Sequence, residues 1–246
     1  FRGAIRWMPW DVREEIIRLA ADFAVLKPRV VHAWQDSGGI SAVYAARLTG
    51  VPRIIISTRN VRPTHFAWYR PYMRFAYQDI VADSEIVICN NSEAGRSDYA
   101  QWLDIPLERF TVVHNGLDLS LIRRSPANAV EERRAQLGIP ANAPIVGSIF
   151  RFHDEKRPFL WAEVASAVAR RRPDIHFVVF GDGPLQRATE ALANRLGLGD
   201  RFHAPGTIED PSTGLSVFDI FLLTSQFEGT PNVILEASAL GIPVIA

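Results

Sequence analysis

Short runs rich in β-branched and aromatic residues alternate with longer helical patterns along nearly the whole chain. This alternation limits the fold more than any other feature. Candidate strands cover 29–34, 53–58, 85–90, 110–114, 144–150, 175–181, 201–204, 220–225 and 243–246. Candidate helices cover 11–26, 39–49, 65–82, 93–102, 129–137, 157–171, 185–197, 210–217 and 231–240. A strand-helix-strand repeat returns the chain to the same sheet edge, which gives parallel strands and right-handed crossovers. The strands read as continuously apolar rather than alternating, and this predicts sheets covered on both faces. The fold class is therefore α/β.

The alternation weakens between about residues 117 and 143, where "LDLSLIRRSPANAVEERRAQLGIPANAP" is charged and carries no core strand. This places an N-terminal Rossmann-like domain at 1–120, a linker region at 121–143 and a C-terminal Rossmann-like domain at 144–246. Ligands of open α/β sheets sit beyond the carboxyl ends of the strands. Two such lobes with mainly parallel sheets would face a central cleft.

The chain has 246 residues, 48% apolar and 22% charged, with a formal net charge of zero. A neutral balance argues against a nucleic-acid partner, which selects a basic excess. The lone Cys89 cannot form an internal disulfide, which favours a cytoplasmic setting. No uncharged apolar run reaches the ~18 residues of a membrane span. Phe1 is not an initiator Met and "GIPVIA" reads as a strand just begun, so the chain is expected to be a fragment. Its charge is uneven. From Ser37 to Gln78 there is no acid but six arginines, at 47, 53, 59, 62, 70 and 74, which predicts a local basic patch.

Candidate chemistry gathers at the strand ends. After "FLLTS" comes "QFEGTPNVILEA", with Glu228 just before a helix and Glu236 nearly two turns inside it. Thr230 is the expected cap and Pro231 the first helical residue. A helix N-terminus offers free N–H groups to a phosphate, and Gly229 allows close backbone approach. A carboxylate repels phosphate, so Glu228 and Glu236 are expected to meet hydroxyls. The bland alternative is a capped helix with two solvated acids. Upstream, "GSIFRFHDEKRP" puts Arg151 and Lys156 after one strand, where a forked guanidinium and a mobile ammonium can pair with a diphosphate. Lys156 is one of only two lysines, with Lys27. The turn "FGDGP" places Gly181 and Gly183 after "IHFVVF", and a tight turn explains it equally well. The loop "APGTIED", again after a strand, could meet a base through its backbone. There is no D-x-D pair, P-loop, G-x-S-x-G or clustered Cys/His set, so no metal or other cofactor is expected.

Taken together, the E-x7-E segment, "FRFHDEKRP", "FGDGP" and "VVHNGLD" (112–118) resemble the retaining family 4 glycosyltransferases, over about residues 30–246. The resemblance implies the GT-B architecture of two Rossmann-like domains. It also implies transfer of a sugar from a nucleotide-diphosphate donor to an acceptor hydroxyl, a glycan or a lipid-linked glycan, with retention at the anomeric carbon. Arg151 and Lys156 match the basic pair on the donor diphosphate. Glu228 matches the glutamate close to the donor sugar, and Glu236 the one that holds the ribose. Gly229, Thr230, Pro231 and Asn232 match the turn whose amides meet sugar and phosphate. The family often has a His after the strand matching "RIIIST". Here the sequence reads "STRN", leaving Arg59 and His65 as acceptor-side candidates.

The segment 57–78 interleaves arginines with Phe66, Trp68, Tyr69, Tyr72, Phe75 and Tyr77. It reads either as the buried face of a helix or as a peripheral contact with the inner face of a membrane or a lipid-linked sugar. Alternatives to the transferase are a sugar-nucleotide-binding module without turnover, or another GT-B enzyme such as an epimerase or a phosphorylase.

Overall fold

The computed structural model describes residues 5–246. The chain divides into two compact units. The first comprises residues 1–115 together with Glu228–Thr230, and the second comprises Gly116–Phe227 and Pro231–Ala246.

In the first unit, α1 (Trp10–Leu26) leads into β1 (Val30–Trp34), α2 (Ser37–Thr49) and β2 (Arg53–Thr58). Then follow α3 (Tyr72–Ala82), β3 (Val87–Asn90), α4 (Glu93–Leu103) and β4 (Phe110–Val112). The strands form one parallel sheet in the order β1-β2-β3-β4. One face, with Val31, Ala33, Ile54, Ile56, Ile88 and Phe110, packs on buried residues of all four helices. Ser92 caps α4 by accepting from the Gly95 amide at 3.0 Å.

The opposite face of this sheet departs from expectation. β1 alternates exposed and buried, and Val30, Trp34, Val87 and Val113 are exposed on one side. Among the described residues, the unit's helices all contribute to the core on the other side. The sequence predicts two covered faces because exposed valines read the same as buried ones.

In the second unit, α5 (Ala127–Gln136) precedes β5 (Ile145–Ile149), α6 (Pro158–Ala169), β6 (His176–Phe180) and α7 (Gln186–Arg195). β7 (Phe202–Gly206), α8 (Pro211–Ser216), β8 (Ile220–Leu222), α9 (Asn232–Ala239) and β9 (Val244–Ile245) complete it. The parallel sheet has the order β7-β6-β5-β8-β9. Here both faces are covered. Trp161 of α6 meets Phe177 edge-on and donates through Nε1 to Ser148 Oγ at 3.0 Å. On the other face Phe218 stacks on Phe180, and Gly147 leaves the room its ring occupies.

The stretch 121–143, read from sequence as a linker, is packed against this unit. Arg124 Nε donates to Leu240 O, the Ser125 amide to Ser216 Oγ, and Arg134 to Ala143 O and Val217 O.

Three local expectations are corrected. The helix expected over 65–82 begins only at Tyr72, after a 3-10 turn at Pro63–His65 and an irregular stretch. Pro71 fits that start, since its missing N–H costs nothing at a helix entrance. The second correction concerns α9. Pro231 is its N-cap residue, in extended conformation, and the first helical residue is Asn232. Thr230 does not cap it, because the helix starts one residue later than expected and the capping position falls on Pro231; the Thr230 hydroxyl instead donates to Asn91 O at 3.0 Å. The third concerns the basic patch of 37–78, where three of the six arginines pair with acids outside that window. Arg47 pairs with Asp79 and Asp83, Arg62 with Asp98, and Arg70 with Asp11. Arg74 donates to Trp102 O, and the Arg59 guanidinium lies 4.6 Å from the Trp34 ring centroid.

Candidate functional site

In the second unit the loops after β5, β6 and β8 are tied together by backbone bonds. The Phe150 amide donates to Phe180 O, and the Phe152 amide to Asp182 O at 2.7 Å. The Leu185 amide returns a bond to Phe152 O at 3.1 Å. This lacing explains both glycines of "FGDGP". Gly181 has φ +132° and Gly183 φ +148°, a region disfavoured for L side chains. A Cβ on Gly181 would lie 1.9 Å from Phe150 O, and one on Gly183 2.7 Å from Phe152 O. The two glycines therefore let the "FGDGP" turn press against the backbone that carries Arg151. Phe150 and Phe152 are buried anchors on either side of Arg151, whose side chain is exposed.

The second lacing joins the loops after β5 and β8. Thr224 Oγ1 donates to Lys156 O at 3.0 Å, and the Gln226 amide donates to Glu155 O at 2.9 Å. Lys156 ends a 3-10 turn (Asp154–Lys156), and Arg157 turns the chain with φ +51° into α6, which begins at Pro158. Arg151 Nη2 lies 3.6 Å from Glu155 Oε1, a loose pair at an exposed guanidinium. Arg151, Lys156, Gly181 and Gly183 thus stand on loops held at the carboxyl ends of neighbouring strands. The amino end of α9, with Pro231 and Asn232, follows β8 in the same unit. Glu236 is half-buried on α9, and burial raises its carboxyl above the usual range.

Glu228, Gly229 and Thr230 group with the first unit. Asn115 Nδ2 donates to Thr230 O at 2.7 Å, and Asn91 Nδ2 to Asn115 Oδ1 at 3.3 Å. Gly229 is required there, because a Cβ would lie 2.3 Å from Asn91 Oδ1 and 2.7 Å from Arg59 O. The E-x7-E motif is therefore divided, with Glu228 in one unit and Glu236 in the other. Of the acceptor-side candidates, Arg59 packs on Trp34, and His65 is exposed at the end of its 3-10 turn.

Sequence reasoning misses the residues that do the holding. Asn91 and Thr224 sit in ordinary loop contexts, while Asn115 stands in the "VVHNGLD" motif without a holding role assigned to it, and only their long-range bonds show that role. It also misses Asp36, buried at the amino end of α2, whose Oδ1 accepts from both Tyr77 and Tyr99 hydroxyls. Burial raises the Asp36 carboxyl despite those two bonds.

Two family profiles divide the chain much as the fold does. The one described as Glycosyltransferase Family 4 matches residues 1–121, and Glycosyl transferases group 1 matches 129–246. The chain belongs to the family 4 glycosyltransferases. Among its relatives in the family, the Vi polysaccharide biosynthesis protein VipC/TviE of Salmonella typhi is 31% identical, over 87% of this chain and 37% of the relative. The putative glycosyltransferase EpsF of Bacillus subtilis (strain 168) is 31% identical, over 87% of this chain and 56% of the relative. An Escherichia coli UDP-Gal:alpha-D-GlcNAc-diphosphoundecaprenol alpha-1,3-galactosyltransferase is 28% identical, over 88% and 57%. The chain spans roughly a third to three-fifths of the length of these curated relatives.

Solved structures of glycosyltransferases share the fold. Anabaena Alr3699/HepE in complex with UDP and glucose aligns with TM-score 0.79 at 22% identity, over 94% of this chain and 62% of that one. Sucrose-phosphate synthase from Thermosynechococcus elongatus aligns with TM-score 0.79 at 19% identity, over 98% and 62%. At this identity the likeness establishes the GT-B fold class, with two Rossmann-like units of parallel sheet.

Proposed function

We propose that this family 4 glycosyltransferase moves a hexose from a nucleotide-diphosphate donor to an acceptor hydroxyl, with retention of anomeric configuration and without a metal. The observation that carries the reading is the lacing of the Arg151–Lys156 loop to the loops after β6 and β8 in the second unit. Two cations on a fixed frame can neutralise the diphosphate as it leaves, so the electrostatic field is in place before the charge develops. The backbone N–H groups at the amino end of α9, from Asn232 onward, would add a helix-end contribution. Glu228 would accept hydrogen bonds from the donor sugar and Glu236 from the ribose. Gly229 and Thr230 would set the turn that presents them, and Gly181 and Gly183 would hold the Arg151 loop in place.

Relatives named for polysaccharide biosynthesis and for a UDP-galactose donor with a diphosphoundecaprenol-linked acceptor support a uridine donor and a lipid-linked glycan acceptor. Arg59 and His65 are proposed on the acceptor side. A cytoplasmic enzyme working at the inner face of a membrane fits such an acceptor. No helix among the described residues is long and apolar enough to cross a membrane.

The test is a thermal-shift panel of UDP, GDP, ADP and their sugars, paired with transfer assays. A ligand that binds only the native state raises stability by mass action, by about 2.7 kcal/mol at one hundred times its Kd. UDP is expected to give the largest shift, and Lys156→Ala to reduce it. Glu228→Ala is expected to abolish transfer while the fold survives. Full turnover in that variant removes Glu228 from the mechanism, and an unshifted melting curve with every nucleotide removes the donor site.

A further inference from the structure

Two consecutive asparagines follow one another at the exit of β3, and their side chains do different things. Asn90 is buried and engages both polar atoms of its amide inside the first unit. Its Nδ2 donates to Thr58 Oγ1 at 2.6 Å and to Asn60 O at 3.1 Å, and its Oδ1 accepts from the Ser92 amide at 3.0 Å. It ties the end of β2 to the start of α4, so Asn90 is a piece of the frame.

Asn91 is buried too, at 3% exposure, yet its bonds run to two distant loops. Its Nδ2 donates to Asn115 Oδ1 at 3.3 Å, and Asn115 Nδ2 donates to Thr230 O at 2.7 Å. The Thr230 hydroxyl donates back to Asn91 O at 3.0 Å, which closes a ring through residues 91, 115 and 230. Thr230 is thus gripped at two atoms, two residues after Glu228. Asn91 Oδ1 takes no hydrogen bond among the described residues, and it lies 2.3 Å from where a Cβ on Gly229 would stand. A buried acceptor left unmet costs stability. Stability therefore does not account for Asn91, whereas the grip on the turn does.

We propose that Asn91 and Asn115 are positioning residues for the transfer step. They set the place of the Glu228 carboxyl by holding the turn that carries it, and nucleotide binding is left to the second unit. The inference rests on the reading of Glu228 given under the proposed function. A reacting constellation must be held to within ~0.5 Å, and a loop reaches that precision only with support of this kind. The ring contains no titratable group, so its grip does not change with pH. Asn115 and Thr230 are only half-buried and stand outside the core, so the ring can be opened without opening the unit.

Asn115→Ala in the full chain, with Asn90→Ala beside it, tests the proposal by hydrogen exchange, melting and steady-state transfer. In Asn115→Ala, exchange at the Gly229 and Thr230 amides should rise at least about tenfold, while β2 and β3 keep their protection. The UDP thermal shift and the donor KM should hold. The kcat should fall about tenfold to a hundredfold, the scale of a small misplacement. Asn91→Ala/Asn115→Ala should fall no further than the worse single variant, because the ring acts as one unit. Asn90→Ala should instead lower the melting point. Full kcat in Asn115→Ala overturns the proposal, and so does a melting point lowered as far as in Asn90→Ala, which would make the ring part of the frame. A raised donor KM with kcat kept also overturns it, since that places Asn115 on the nucleotide side. A wild type that neither transfers nor shifts with any nucleotide strikes the donor reading instead. Even then, unchanged exchange at Gly229 and Thr230 overturns the ring.

Discussion

The two sheets share a parallel topology and differ in what covers them. Val178 of β6 is fully buried, as are its neighbours Phe177, Val179 and Phe180. Val87 of β3 is 42% exposed, and the row it shares with His32 and Ile55 faces away from the four helices of its unit. The same residue type in the same kind of strand therefore carries different energetic weight. Parallel pairing alone does not settle burial. The helices that return the chain do so, and in the first unit they all return on one side.

The strongest way to break the comparison is at Gly181. Gly181→Ala forces a Cβ against Phe150 O, and it should cost the second unit at least about 3 kcal/mol. Urea unfolding followed by a probe in each unit should show the second transition move and the first stay. If both move together, the two units do not unfold independently.

A matched pair of truncations sharpens the contrast. Val178→Ala removes packed methyl groups and should cost about 2 kcal/mol. Val87→Ala should stay within about 0.5 kcal/mol. Equal losses in chemical denaturation would mean that the outer face of the first sheet is covered in solution.

The units should also answer differently to acid. His176 Nδ1 and His203 Nε2 are 3.1 Å apart on adjacent strands. Burial, and then the His176 ring, push His203 down to about 4, against about 6.5 when unfolded. The unfolded chain thus binds more protons between pH 6.5 and 4, and the second unit loses stability as pH falls through that window. Because His203 is only partly shielded from solvent, the loss should be about 1 kcal/mol, and His203→Gln should remove it. Glu236 works in the opposite sense, since its raised carboxyl favours the protonated folded form. In the first unit, the raised Asp36 likewise contributes stability at low pH that is lost as pH rises through its folded pKa. Melting curves of wild type and His203→Gln across pH 7 to 4 read the difference.

The smallest effect should come from Val87→Lys with Val113→Lys. Stability should change by no more than about 0.5 kcal/mol, while binding of a hydrophobic dye falls.

Much of this was legible in the sequence. The expected strands and helices lie close to the observed ones, because strand-helix alternation is a local signal that a continuous apolar run reports well. The segment 57–78 was not, since Arg62 finds Asp98 and Arg70 finds Asp11, residues that no local window contains. The E-x7-E motif was visible as a motif, yet its division between units depends on Asn91 and Asn115, over a hundred residues upstream. Thr230 was misread as a cap because Pro231 reads as a first helical residue, whereas it is extended and the helix begins at Asn232. Exposure of the first sheet's outer face was hidden for a simpler reason, as valine has high strand propensity whether or not anything covers it.

The lacing of the loops after β5 and β6 has a consequence for how this region can vary. Its shape is set by main-chain bonds, two glycines and the buried rings of Phe150 and Phe152. The outward side chains of Arg151, Asp182 and Pro184 contribute to none of those bonds. Frame and chemistry are thus separable, like a socket and the bit it holds. A saturation library at 151 and 182 should exchange charge and reach while the loop keeps its path, whereas the same library at 181 or 183 should return mostly unfolded chains.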